Sequence, residues 1–170
     1  RRGVAEALPF ENDSFDLAMA QLVVHFMRDP LAGLVEMARV TRPEGMVAAC
    51  VWDHAGVGGP LSLFWRAVRD LDPAAPDESD LAGAREGQLV ALFERAGLRL
   101  VEPATLRVRV NFATFDDWWE PFTFGVGPAG SYVAALDPVH RDALKARCAE
   151  LLPQPPCDLD ASAWTALGRV

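Results

Sequence analysis

The sequence predicts an α/β fold, and two features carry this prediction. Residues 15–52 form a strand–helix–strand unit, in which two apolar strand patterns flank an amphipathic helix. Further along, a helix at residues 88–96 precedes strand patterns at residues 98–112 and 159–168, and these two strands are expected to form an antiparallel pair at the end of the fold. Helices alternating with apolar strands indicate a sheet that is covered by helices.

The first unit begins after the turn signal Asp13-Ser14 with a short, mostly apolar strand, Phe15–Ala20. Asp29-Pro30 then provides an N-cap and a first-turn proline for a helix that stops at Pro43-Glu44-Gly45. Helical spacing predicts that its buried face consists of Leu31, Leu34, Val35 and Ala38. The run Met46–Trp52 does not alternate, which is typical of a parallel strand buried on both faces.

The middle of the chain is less regular. A glycine-rich loop at residues 56–60 leads into a predicted helix, Leu61–Leu71, and residues 72–80, rich in acids and prolines, are predicted to be an exposed loop. The helix Gln88–Ala96 ends at the C-cap Gly97. A strand at 98–101 follows, and after Pro103 the alternation of apolar and polar residues predicts a half-exposed strand.

The last third opens with the aromatic-rich segment Thr114–Phe124, and Asp137-Pro138 caps a long helix that reaches about Leu152. We therefore predict a single, incomplete domain over residues 1–170. Its parts are a core strand–helix–strand unit at 1–57, helices at 58–97, a strand at 98–113, a helical lid insertion at 114–157 and a final strand at 158–170.

The amino-acid composition excludes several kinds of molecule as binding partners of this protein. The chain is 51% hydrophobic with a formal net charge of −8, which argues against a nucleic-acid groove because such a groove needs a basic face. No apolar run approaches the roughly 18 residues of a membrane span. The three cysteines are far apart and odd in number, so they indicate neither a disulfide framework nor a zinc site. A cytoplasmic location is expected.

Each of two candidate motifs has a purely structural explanation as well as a functional one. Gly125–Gly130 matches the spacing Gly-x-Gly-x-x-Gly, but a helix-like aromatic segment precedes it and Pro128 removes one amide, so a loop is predicted rather than a phosphate site. His25 follows the end of the first strand, where open α/β sheets place ligands, and is a candidate general base. A packed histidine without chemistry is the favoured alternative. The histidines share no metal-ligand spacing, and no metal is expected.

An aromatic cluster spans residues 115–132, with core packing as its default interpretation. Trp118 and Trp119 are adjacent, however, so on a helix they point about 100° apart and are not expected to fill the same interior. A helical lid whose aromatic side chains face an apolar pocket is the alternative.

The order of several short motifs resembles a known family. These motifs are Ala5-Glu6-Ala7-Leu8-Pro9-Phe10, Asp13-Ser14-Phe15-Asp16 and Arg39-Val40-Thr41-Arg42-Pro43-Glu44-Gly45. Together they resemble the class I S-adenosylmethionine-dependent methyltransferases, in the group that includes the ubiquinone/menaquinone-type enzymes. The resemblance is close over residues 3–53 and looser from Gln88 onward.

Membership of that family implies a Rossmann-like sheet of seven strands, with the last inserted antiparallel between the fifth and sixth. The strands predicted here would be the fourth to the seventh, accompanied by a helical substrate lid. The first three strands and the glycine-rich cofactor loop would then precede residue 1, so the resemblance implies that this chain is the C-terminal portion of the domain only.

The resemblance also assigns site residues by position. Ala5 and Glu6 match the segment that lies against the adenine, although Val4 stands where the family usually has an acid. Gln21 and Leu22 match the loop that approaches the methionine part of S-adenosylmethionine, and His25 is the tentative catalytic residue. The expected substrate pocket consists of Trp52, Trp118, Trp119, Phe122 and Tyr132.

The resulting function is S-adenosylmethionine-dependent methyl transfer to a small apolar or aromatic molecule. Two alternatives stay open: a non-catalytic methyltransferase-like module used for association, and another doubly wound enzyme such as a nicotinamide oxidoreductase. The 170 residues alone are expected to bind no measurable S-adenosylmethionine. Phe15–Ala20 would be an open apolar edge, so a homodimer through this strand is also expected.

Overall fold

The computed structural model describes all residues from Arg1 to Val170. Four strands and six α-helices, joined in two places by short 3-10 turns, make up the fold. In chain order they are β1 (Phe15–Gln21), a 3-10 turn (Val24–Phe26), α1 (Pro30–Val40), β2 (Thr41–Trp52), α2 (Ser62–Leu71), α3 (Gln88–Arg95), β3 (Arg99–Phe112), α4 (Phe115–Trp119), a second 3-10 turn (Glu120–Phe124), α5 (Gly127–Ala135), α6 (Pro138–Leu151) and β4 (Cys157–Arg169).

The sheet has the strand order β1-β2-β4-β3. Strands β1 and β2 run parallel, as the strand–helix–strand unit predicts, and β4 lies antiparallel between β2 and β3. Ala49 sits at the centre, opposite Ala20 on one side and Ala166 on the other. The α/β prediction, with its antiparallel final pair, is confirmed.

Helix α1 begins as the sequence predicts, because the Asp29 carboxylate accepts a hydrogen bond from the Ala32 amide at 3.0 Å. Its buried face differs from the predicted one: Gly33, Leu34, Met37 and Val40 are buried, whereas Val35 is 45% exposed. Both sets of residues satisfy helical spacing. Packing against the sheet determines which of the two faces is buried, since α1 lies on the side of β2 that presents Val47 and Ala49.

Strand β3 is continuous through Pro103, where two separate segments were expected. It forms the edge of the sheet, and an edge strand tolerates a residue that has no N–H to donate. A second difference concerns the predicted loop at Gly125–Gly130, since residues from Gly127 onward form the start of α5. None of the helices has the length and apolar character needed to cross a lipid bilayer.

Two apolar clusters stabilise the fold. The first lies between the sheet and helices α1 and α3. The second joins α2 to the helices of the last third and contains both Trp118 and Trp119, each 4% exposed. The expectation that these neighbours cannot share one interior is wrong. Phe122 lies against both indoles, with ring centroids 5.0 and 6.1 Å away, and joins them into one cluster.

We expect Phe64→Ala to destabilise the fold strongly. Phe64 is fully buried and stacks on Phe122 at 4.5 Å, so its truncation should cost about 3–5 kcal/mol of unfolding free energy. Urea denaturation measures this loss. Val57→Ala serves as control because Val57 is 99% exposed, and equal midpoints for the two variants would contradict the packing described here.

Candidate functional site

The carboxyl ends of the parallel strands β1 and β2 lie side by side, with Gln21 opposite Cys50. Ligands bind at this end of open α/β sheets. Directly after β1, Leu22 takes a left-handed backbone conformation, with φ of 57°, and its amide donates to the Cys50 carbonyl at 3.0 Å. Strained backbone of this kind concentrates at functional sites. The turn that follows carries His25.

Hydrogen bonds and one close backbone contact hold the segment after β2 in place. The Asp53 amide donates to the Ser162 carbonyl at 3.0 Å, and the Asp53 carboxylate accepts from the Gly56 amide at 2.8 Å. A side chain at Gly59 would collide with the Asp53 carbonyl, so this close approach requires glycine. His54, next in sequence, is thereby held beside the end of β1.

A cavity of about 520 Å³, which we call the histidine cavity, opens between these two segments. The rings of His25 and His54 lie with their centroids 5.3 Å apart and their planes at 65°. The cavity is lined by Leu22, His25, Phe26, Trp52, His54, Pro60, Leu61, Glu78, Pro121, Phe122, Phe124, Val126, Gly127, Pro128 and Ala129.

The two histidines lack hydrogen-bond partners. His25 is 6% exposed and its Nδ1 is unpaired, and both ring nitrogens of His54 are buried and unpaired. Burial lowers the pKa of His25. Burial is the main reason that the pKa of His54 falls to about 4, and the nearby His25 lowers it further. Asp53 and Asp77 act in the opposite direction but do not compensate. Both rings are therefore neutral at pH 7, and each offers one donor and one acceptor.

Glu78 adds a carboxyl group to the same cavity. It lies in the 72–80 segment that was predicted to be an exposed loop, yet it is only 3% exposed. The Trp65 indole N–H donates to it at 2.8 Å, and this partner allows the carboxyl group to lie inside the fold. Burial raises the pKa of Glu78, with Asp77 acting in the same direction and the hydrogen bond from Trp65 opposing it.

The residues expected to bind a cofactor occupy two places. Leu22 lines the histidine cavity, whereas Ala5 and Gln21 line a second cavity of about 350 Å³ along the open edge of β1, which we call the edge cavity. Gln21 is the only non-hydrophobic residue lining the edge cavity. Glu6 lines neither cavity, and its carboxylate accepts the Asp29 amide at the start of α1 at 3.1 Å.

Arg39 fastens the segment that carries Ala5 and Glu6. Its guanidinium donates to the carbonyls of Leu8 and Phe10 at 3.1 and 2.9 Å. It also pairs with Glu36, whose carboxylate accepts the Leu8 amide at 2.9 Å. The hydrogen bond from Arg39, and to a smaller extent that from the Leu8 amide, lowers the pKa of Glu36 to about 2. The arginine of the Arg39–Gly45 motif thus anchors the preceding motif.

The expected substrate-pocket residues also separate. Trp52 and Phe122 line the histidine cavity together with His25. Trp118 lines a different cavity of about 420 Å³, Trp119 packs in the core, and Tyr132 lines a third cavity of about 370 Å³ beside α6. The structure thus brings together two of the five aromatic residues.

Sequence reasoning missed His54 and Glu78. A signal for His54 was available, because it follows the carboxyl end of β2 much as His25 follows that of β1, and parallel strands end at the same edge. No local pattern marks Glu78, which is brought in by the tertiary contact with Trp65. No cluster of three or more potential metal ligands occurs in the structure.

The comparisons with known proteins agree with this architecture. Residues 1–49 match the family model described as a methyltransferase domain. The uncharacterized protein YafE of Escherichia coli is 27% identical over 115 residues, which are 68% of this chain and 53% of that protein. A demethylmenaquinone methyltransferase of Mycobacterium sp. (strain KMS) is 46% identical over 48 residues, or 28% of this chain and 21% of that enzyme.

Solved structures share the fold over nearly the whole chain. The YcgJ protein of Bacillus subtilis has a TM-score of 0.55 at 20% identity, covering 99% of this chain and 69% of that one. A protein of Anabaena variabilis is described as a methyltransferase from an antibiotic biosynthesis pathway. It has a TM-score of 0.57 at 17% identity, and the match covers 99% of this chain and 72% of that one.

The family match over residues 1–49 agrees with the resemblance seen in the motif order, and the solved structures show that the fold is one shared with methyltransferases. The similarity to the demethylmenaquinone enzyme concerns a short stretch only. The chain spans about half the length of the Escherichia coli relative and 28% of the Mycobacterium tuberculosis relative Rv1405c.

We expect the lowered pKa of His54 to make the fold less stable in mild acid. Unfolding restores the ordinary value near 6.5, so the unfolded chain binds a proton that the folded chain excludes. Stability therefore falls as the pH drops from about 6.5 towards 4, by at most about 3 kcal/mol for this group. His54→Asn should reduce that fall. Urea unfolding of both proteins at several pH values tests this, and parallel stability curves would refute it.

Proposed function

We propose that this chain forms part of an enzyme that transfers a methyl group from S-adenosylmethionine to a small apolar or aromatic molecule in the histidine cavity. The observation that carries the proposal is the cavity itself. It lies at the carboxyl ends of β1 and β2, and aromatic walls surround two unpaired histidines there. Its volume of about 520 Å³ falls within the range of small-molecule sites.

The residues along β1 fit one side of the cofactor. Ala5 and Gln21 in the edge cavity would hold its apolar portions and one polar group, and Leu22 would lie towards the reacting end. Glu6 supports this side indirectly, by joining the Ala5 segment to α1. When bound, S-adenosylmethionine supplies an electrophilic methyl group on a sulfonium.

The protein's own contribution is alignment and the exclusion of water. Methyl transfer is an in-line displacement, so holding the acceptor at the correct distance and angle supplies much of the rate enhancement. Trp52 and the buried Phe122 provide apolar walls that would keep water from one side of the reacting atoms. His25, whose pKa is lowered by burial, would accept a proton from the acceptor.

S-adenosylhomocysteine, the product form of the cofactor, tests the proposed cofactor side. Calorimetric titration of the full-length natural protein should give a micromolar dissociation constant, and Gln21→Ala should weaken it about tenfold because the proposed hydrogen bond to the cofactor is lost. Gln154→Ala removes an exposed amide in the segment before β4 and should change nothing. Equal losses in the two variants, or no binding at all, would rule out this cofactor site.

An association role has its own supporting observation, the open edge of β1. Phe15, Leu17 and Met19 are between 39% and 68% exposed along this strand. An apolar edge strand pairs readily with another chain, so we propose a homodimer through β1 as the alternative to cofactor binding at this edge. The three cysteines are unpaired, which supports a cytoplasmic location for the protein.

Met19→Lys should convert the proposed dimer into a monomer, since a charge on an edge strand opposes pairing. Light scattering coupled to size exclusion measures the mass. Val57→Lys adds the same charge at an exposed site away from the sheet edge and should leave the dimer intact. A parent protein that is monomeric at high concentration would exclude this interface.

A further inference from the structure

His25 and His54 form a pair whose polar atoms have no partner inside the protein. Three of their ring nitrogens are buried without a hydrogen bond, and the only other such side-chain atom in the chain is Nε1 of Trp164. Buried polar groups are otherwise satisfied in folded proteins, so three orphaned atoms at one cavity indicate that a ligand supplies the missing bonds. Nearby Asp53 and Glu78 both have partners.

We propose that His25 and His54 together bind an acidic hydroxyl group of the methyl acceptor, a phenol or an enol, and that one imidazole takes its proton as the oxygen is methylated. This inference rests on the proposed function and specifies its substrate class. It also gives His54, which no sequence motif marked, a role in contact with the substrate.

The hydrogen-bonding capacity of the pair matches a hydroxyl group. A neutral imidazole carries one N–H donor and one lone-pair acceptor, and a hydroxyl both donates and accepts. One ring can therefore accept the hydroxyl proton while the other donates to the hydroxyl oxygen. With ring centroids 5.3 Å apart, both imidazoles can reach one small polar group.

The surroundings favour an aromatic hydroxyl. Trp52, Phe122 and Phe124 line the same cavity and provide surfaces against which a planar ring can pack. The acidic groups near the pair are Asp53, Asp77 and Glu78. Asp53 and Asp77 act to raise the pKa of His54, but burial outweighs them, and burial also lowers the pKa of His25, so both imidazoles are neutral at pH 7. A neutral imidazole is the form that can accept a proton.

The proposed step balances without a further reactant. An oxygen lone pair forms the new bond to the methyl carbon, and the bond between that carbon and the sulfonium breaks, returning its electron pair to sulfur as a neutral thioether. The hydroxyl proton moves to an imidazole nitrogen and leaves to water after product release. A hydroxyl with a pKa near 10 is a weak nucleophile until this proton departs, so a nearby base accelerates the transfer.

Two matched probes test the hydroxyl specificity without turnover. 4-Nitrophenol carries the hydroxyl, and 4-nitroanisole is its methyl ether with a similar ring. Calorimetry at pH 6, where the phenol is largely un-ionised, should show about tenfold tighter binding of the phenol to the parent protein. His54→Phe keeps an aromatic ring but removes both nitrogens, so it should abolish this preference and leave the affinity for the ether within about twofold.

His54→Gln provides the rescue variant, because its amide offers a donor and an acceptor without a base. It should restore part of the preference for 4-nitrophenol at pH 6, which a loss of aromatic packing alone would not allow. Nitrogen-15 NMR of the imidazoles gives a second readout, in which His25 and His54 should shift with the phenol and not with the ether. His140, which is exposed on α6, should shift with neither.

Equal affinity for the two probes, binding of neither, or an unchanged preference in His54→Phe would each overturn the proposal. So would tighter binding of the cationic probe 4-nitrobenzylammonium, which would indicate an amine acceptor. These failures differ from failure of the proposed function. Loss of S-adenosylhomocysteine binding refutes methyl transfer itself, whereas normal cofactor binding without hydroxyl preference refutes only this substrate class.

Discussion

The parallel pairing of β1 and β2 is the constraint on which the rest of the structure depends. It joins Leu22 to Cys50 by one hydrogen bond, so β1 and β2 end within two residues of each other at the same edge of the sheet. The segments that leave these ends carry His25 and His54. A shift of this register would move one strand end along the other, and it would therefore separate the two segments that carry the histidines.

Burial then determines what the two histidines can do. An imidazole in water is partly protonated near neutrality, but here desolvation favours the uncharged form. The same desolvation leaves their ring nitrogens without water as a partner. The protein therefore loses stability by keeping these groups buried and unsatisfied, a cost that folds accept most often at functional sites. Glu78 avoids that cost through Trp65, and Asp53 through the Gly56 amide.

Local patterns in the sequence were sufficient to predict the strands and His25, one half of the candidate site, whereas the position of β4 between β2 and β3 was implied only by the family resemblance. Apolar runs and capping residues specify β1, α1 and β2 because the signals lie within a few residues of each other. The same signals do not decide which face of α1 is buried, and Val35 is exposed because the sheet selects the alternative face. Nor do they predict that Glu78 is buried or that Trp118 and Trp119 share one core, since both depend on contacts between residues distant in sequence or on the surrounding packing.

The strained backbone at Leu22 explains how one strand end can serve two cavities. Side chains alternate along a strand, and after Gln21 a regular continuation would carry the chain past the end of the sheet. The left-handed conformation of Leu22 instead turns the chain, and the segment that follows contributes to both cavities: Gln21 and Val23 line the edge cavity, whereas Leu22 and His25 line the histidine cavity. In the proposed enzyme, methyl donor and acceptor occupy these two cavities. The methyl donor and the acceptor would then approach each other beside the peptide between Gln21 and Leu22. The hydrogen bond from the Leu22 amide to the Cys50 carbonyl fixes this peptide against β2.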